Sequence, residues 1–126
     1  MILARMLDKG RAVIAKTNGE YKFACPLDQH FLSFVDIDPQ SVLEQLKAGK
    51  GDGDVLEYIL AHCKRKPLPQ EITAWSTHFE NRAPGDVDSR QFLHEAQQKI
   101  APHRSDIVTW FDLLDVDDYV SFGGKA

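Results

Sequence analysis

Cys25, Asp28 and His30 fall close together around Pro26. A cysteine nucleophile needs its thiolate favoured, and a helix N-terminus with an imidazole nearby supplies that. Cys25 directly before a proline-started helix meets the first condition. A catalytic base usually arrives from elsewhere in a fold, so the plainer reading makes Cys25 a small buried hydrophobe. Asp28 then satisfies first-turn amides.

A second set is Asp112, Asp115, Asp117 and Asp118 near the C-terminus. Helical spacing puts Asp112 and Asp115 on one face, where two carboxylates plus water hold a hard cation such as magnesium. The competing reading is the solvated edge of a core helix. In a third set, Trp75, His78 and Arg82 recur at intervals of three and four, lining an aromatic plate, an imidazole and a bidentate anion donor along one helix side. That side suits a small acidic ligand; equally, Trp75 is core and Arg82 pairs with Asp86 or Asp88. The histidines His30, His62, His78, His94 and His103 include no pair at the His-Glu-x-x-His interval, which argues against zinc.

These residues need elements to hold them, and the apolar periodicity predicts six to seven short amphipathic helices. The first carries Leu3, Met6, Leu7, Val13 and Ile14, with Lys9 placed off the apolar stripe and Gly10 on it, as a close-crossing point or alternatively a break. Thr17-Asn18-Gly19 should end it. Glu20–Ala24 alternates over a few positions, so at most one minor strand is expected there. Pro26 starts a second helix burying Leu27, Phe31, Phe34 and Val35; Asp38-Pro39 starts a third with Val42, Leu43 and Leu46 inward. Asp52 caps a fourth, with Val55, Leu56, Ile59, Leu60 and Cys63 inward. A fifth spans Gln70 to Arg82, with Ile72, Trp75 and Phe79 inward. Asp86 caps a sixth, with Phe92, Leu93, Ala96 and Ile100 inward and Glu95–Lys99 as an outer pair. Ser105 caps a last helix, in which Trp110, Phe111 and Leu114 form the keystone of the core; Asp115 caps a final turn over Val116, Tyr119 and Val120. The expected fold is all-α, a single compact helical bundle over residues 1–126.

Composition removes several functions. With 126 residues, one core is affordable and two domains would each be small. A net charge of −4 disfavours nucleic-acid binding, which rests on concentrated Lys and Arg. The one basic cluster, Lys64-Arg65-Lys66, stands where a helix ends and suits its dipole. Two cysteines make no disulfide framework, and Arg5 and Asp8 interrupt the leading apolar stretch before it reaches signal-peptide length. No run approaches a membrane span, so a soluble cytoplasmic protein without a membrane role is expected. Phosphate-binding loops are missing, and Gly49–Asp54 fits neither a nucleotide nor a calcium loop, so no cofactor is expected.

Read together, Leu7-Asp-Lys-Gly-Arg-Ala12, Gly19-Glu-Tyr21, Cys25-Pro-Leu-Asp28, Trp75, Arg82-Ala-Pro84, Trp110-Phe-Asp-Leu-Leu-Asp115, Asp117-Asp-Tyr119 and Phe122-Gly-Gly124 resemble a bacterial family catalogued only as a domain of unknown function. The resemblance implies no reaction, ligand or catalytic residue. Family members often carry a Pro- and Arg-rich leading segment, and none is expected before the first helix here. The residues therefore favour a small non-catalytic binding or protein-interaction module, with homo-oligomerisation through surplus aromatic surface. The alternative is a metal- or thiol-assisted enzyme acting on a small acidic substrate.

Overall fold

Proline and aspartate set where several helices begin. In the computed structural model, which describes residues 1–126, there are seven α-helices and no strand, with 64% of residues helical. They are α1 (Ile2–Ile14), α2 (Pro26–Val35), α3 (Pro39–Lys47), α4 (Asp52–His62), α5 (Pro69–Glu80), α6 (Val87–Ile100) and α7 (Trp110–Ser121). Asp38 and Asp86 cap α3 and α6 as expected, accepting from the Gln40 amide at 3.2 Å and the Ser89 amide at 2.8 Å.

Four boundaries differ from the expectation, the simplest being α5, which ends at Glu80 and leaves Arg82 just beyond it. Helix α1 stops before Gly19, because Lys16 itself takes the left-handed conformation (φ 58°) and the Thr17 amide bonds back to the Ala12 carbonyl at 2.9 Å. Helix α4 is capped by Gly51, with Asp52 its first residue and the Asp54 carboxylate receiving the Gly51 amide. Helix α7 is capped by Thr109 instead of Ser105 and runs unbroken from Trp110 to Ser121, so Asp115 lies inside it and caps nothing. Glu20–Ala24 forms turns, in which the Tyr21 amide donates to the Asn18 carbonyl at 2.8 Å.

Helices α1–α4 form one compact unit, Met1–Leu68. Met6, Leu7, Leu32, Val35, Val42, Leu46, Val55, Ile59 and Cys63 make its core, with Phe23 and Phe31 packed against them. Gly10 is the close-crossing point: a Cβ there would lie 2.5 Å from Leu46 Cδ1 and 3.2 Å from the Phe23 ring. At the end of α4, Lys66 Nζ donates to the Leu60 and Ala61 carbonyls at 2.7 and 3.0 Å, so this cation closes the helix end as its position suggests. Leu56 and Leu60 are exposed, against expectation, because α4 packs through Val55, Ile59 and Cys63 with Tyr58 partly buried beside them.

Helices α5–α7 form a second compact unit, Pro69–Ala126. Leu93, Ala101, Ile107, Leu113 and Val116 are its buried cluster, with Trp110 and Val120 partly buried against it. Buried Gln97 organises the α6–α7 link, its amide donating to the Ala101 and Arg104 carbonyls at 2.7 and 2.9 Å. The centre of α7 differs by one position: Phe111, Leu113 and Val116 are buried, while Leu114 and Trp110 are half-buried. Ile72, Phe92 and Tyr119, expected to pack inward, are exposed.

Candidate functional site

The cluster with the densest chemistry joins α1 to the start of α2. On α1, Ile2, Met6, Lys9 and Val13 follow the i, i+4, i+7, i+11 pattern of one face, and Ile2, Met6 and Lys9 are buried. A lysine there carries its ammonium out of water and needs an acid beside it. Asp28 supplies it. Its side chain is fully buried, 0% exposed, and Lys9 Nζ donates to Asp28 Oδ1 at 2.7 Å.

The same ammonium donates to Cys25 Sγ at 3.1 Å. Asp28 is the third residue of α2 and Cys25 its N-cap, so the second carboxylate oxygen receives the Cys25 amide at 3.3 Å. Just before the thiol, Ala24 holds a left-handed backbone (φ 57°), a conformation costing about 1–2 kcal/mol for a residue with a Cβ. Strain, a buried ion pair and a half-buried thiol thus meet within one turn of chain. The expected helix-start setting for Cys25 and Asp28 is present. His30 stands exposed further along α2, and the cation that reaches the sulfur is Lys9, which the sequence reading placed on the outside. The overlooked signal was spacing: Lys9 is seven residues after Ile2 and three after Met6, on the apolar stripe itself.

The α5 candidates are arranged around a residue none of them was assigned to. Buried Phe79 has the Trp75 ring 4.5 Å away, the His78 ring edge-on at 5.2 Å, and the Arg82 guanidinium 5.9 Å above its face. Trp75 is half-buried, while His78 and Arg82 are exposed. Arg82 reaches neither Asp86 nor Asp88; Asp86 is occupied by the Ser89 amide and hydroxyl, which hold its carboxyl below the usual aspartate range. The Arg82 carbonyl receives the Trp110 amide at 3.0 Å, tying the segment just after α5 to the start of α7.

Asp112 has a structural partner set. Burial acts to raise its pKa, but hydrogen bonds from the Thr109 amide and hydroxyl and the Val108 amide outweigh this and hold the carboxyl below the usual range. Its Oδ2 receives those two amides at 2.9 and 3.2 Å, while Thr109 Oγ1 accepts from the Asp112 amide, completing a capping box. Asp115 is exposed one turn on. No three His, Cys, Asp or Glu side chains gather in a metal-holding group. Of the histidines, His62 stacks on Tyr58 at 4.2 Å and bonds its carbonyl; His94 and His103 are exposed.

A different feature stands out on the surface of Pro69–Ala126. Phe92, 62% exposed, packs tilted on half-buried Trp110 with ring centroids 6.2 Å apart, and Val108 beside Trp110 is also exposed. Val87, Tyr119 and Phe122 add further exposed apolar side chains to this unit, Phe122 at 81%. No helix of the chain is long and apolar enough to cross a membrane.

Residues 1–120 match the family described as Domain of unknown function (DUF5069), and the chain belongs to that family. No curated protein matches it.

Proposed function

We propose that this chain is a small, non-catalytic protein-interaction module of the cytoplasm whose partner docks on the Phe92–Trp110 aromatic pair. The observation that carries this reading is the exposure of Phe92. Fully burying an aromatic side chain is worth roughly 1.5–3 kcal/mol, and Phe92, 62% exposed, forgoes the part of it that a docked partner would recover. Charge indicates the partner's chemistry. Residues 69–126 hold ten Asp and Glu against five Lys and Arg, and on α6 Asp88 and Glu95 lie one turn to either side of Phe92. The complementary occupant is a protein segment presenting an apolar anchor beside Lys or Arg. A second copy meeting this surface face to face would set carboxylates against carboxylates, which disfavours self-association here.

The test uses a synthetic amphipathic helical peptide of leucine and lysine, followed by calorimetry and tryptophan fluorescence. Saturable binding, weakened at least tenfold by Phe92→Ser and absent for the leucine–glutamate counterpart, supports the reading. Equal binding by Phe92→Ser overturns it. Dimerisation in sedimentation equilibrium that Phe92→Ser abolishes overturns the assignment of a foreign partner in favour of a second copy.

One observation favours a second reading, a thiol-assisted enzyme acting on a small acidic substrate: the Lys9 ammonium 3.1 Å from Cys25 Sγ. That ammonium is already engaged by Asp28 at 2.7 Å, so it serves the substrate only in part. Turnover of an acidic thioester or ester by the parent, lost in Cys25→Ser, is the result this reading requires.

A further inference from the structure

We propose that Cys25 and Lys9 form an oxidation-driven covalent sulfur–nitrogen link, with a hydroperoxide as the oxidant. Three placements carry this. Cys25 is half-buried whereas Cys63 is a core residue, 3% exposed, so of the two cysteines Cys25 is the one more open to a small oxidant. Lys9 Nζ already sits 3.1 Å from that sulfur inside a buried site where its alternatives are few. Asp28 Oδ1, 2.7 Å from the same nitrogen, is placed to take the proton that an ammonium must lose before it acts as a nucleophile. Cys25, Lys9 and Asp28 are therefore a nucleophile, an amine and a proton acceptor in direct contact, and the interaction reading above makes no use of them.

The chemistry balances in two steps. The Cys25 sulfur attacks one peroxide oxygen, the O–O bond breaks, and the products are a sulfenic acid on Cys25 and water or an alcohol. Lys9 passes a proton to Asp28, and its lone pair attacks the sulfenic sulfur. The N–S bond forms, the S–O bond breaks, and the departing hydroxide takes a second proton from the nitrogen and leaves as water. Sulfur has been oxidised by two electrons and the peroxide reduced by two; the linked pair lacks two hydrogen atoms relative to thiol and amine. The remaining proton stays on Asp28, which is neutral just when its cationic partner has become a neutral sulfenamide. The buried site thus carries no uncompensated charge in either state, which is what its burial demands.

The experiment is peroxide treatment of the intact chain followed by tryptic mass spectrometry. The expected product joins the peptide Met6–Arg11, in which modified Lys9 is no longer cleaved, to Phe23–Lys47, with a mass two hydrogens below the sum, and dithiothreitol restores both peptides. Adding dimedone during oxidation should capture the sulfenic acid and abolish the joined product. Lys9→Arg, which keeps a cation beside Asp28, should instead accumulate sulfinic acid on Cys25 that dithiothreitol does not reverse. Should that variant fail to fold, the parent decides alone: a Cys25–Cys63 disulfide, a disulfide between chains, direct passage to sulfinic acid or an unreacted thiol each overturns the proposal.

Discussion

Replacing Lys9 by methionine tests whether the charged pair between α1 and α2 is as dry in solution as its geometry requires. The pair is 2.7 Å long, with Asp28 fully buried and Lys9 nearly so. At an effective dielectric of about 20, two unit charges at that distance attract by roughly 6 kcal/mol, most of which offsets the cost of taking both out of water. Lys9→Met removes the attraction and leaves the Asp28 carboxylate with only the Cys25 amide at 3.3 Å. The expected loss is therefore about 3–5 kcal/mol, the usual result of stranding one member of a buried pair. Asp28→Asn alone strands the ammonium and should cost a similar amount. The double variant keeps an amide oxygen for the Cys25 N–H and buries no charge, so it should be more stable than either single variant, giving a large coupling energy in the cycle. Both tryptophans, Trp75 and Trp110, lie in Pro69–Ala126, so their fluorescence says little about this site. Unfolding of Met1–Leu68 is better followed by pulse labelling of Cys63, read from its peptide mass. With a urea m-value of about 1.5–2 kcal/mol/M, a loss of that size moves the midpoint down by about 2 M. A shift below about 0.5 M for Lys9→Met, or strict additivity in the double variant, would refute a desolvated pair.

Two further perturbations probe packing and titration. Gly10→Ala gains about 1 kcal/mol of helix propensity but drives its Cβ against Leu46 and Phe23, for about 1–3 kcal/mol of overpacking; a net loss near 1 kcal/mol is expected by urea unfolding, and combining it with Leu46→Ala should cost less than the sum of the two. Asp106 accepts both hydrogen bonds of the Arg104 fork, at 2.7 and 2.6 Å, which pulls its pKa down to about 2. A depressed carboxyl stabilises the fold above the unfolded aspartate pKa, about 3.9, and that contribution disappears as pH falls towards 2. Arg104→Gln should return the Asp106 titration, followed by carbon NMR of the carboxyl, towards the ordinary value; an unmoved midpoint would assign the shift to something other than the fork.

Much of the fold was legible because its signals are local. Pro26, Pro39 and the caps Asp38 and Asp86 act within one helical turn, and each starts its helix where the residues place it. Gly10 on the apolar stripe was readable as a close-crossing point or a break, and the Leu46 and Phe23 side chains against it decide for the crossing. The exposed Leu56, Ile72 and Phe92 were not: a hydrophobic period shows which face is apolar, while only the neighbouring helix decides how much of it is covered. The early end of α1 was missed for a related reason, because the left-handed Lys16 is held by its own amide on the Val13 carbonyl and the next amide, that of Thr17, on the Ala12 carbonyl, and by no preference of its own.

The candidate site was half legible. Cys25 and Asp28 were readable as a helix start, and the Leu7–Ala12 and Cys25–Asp28 motifs were both visible; that Lys9 of the first reaches Cys25 and Asp28 of the second is a tertiary fact. Two departures from ordinary transfer energetics then ask for separate explanations. Burying an ammonium is costly, but within Met1–Leu68 the cost is met by Asp28, so Lys9 needs nothing from outside the chain. Exposing Phe92 is also costly, and its ring, 62% exposed, has a tilted contact with Trp110. The acidic side chains near helix starts do not compete for that role, since Asp86 and Asp112 are spent on the amides of their own caps. On the proposed interaction reading, it is the exposed aromatic surface around Phe92 that a docked partner would cover.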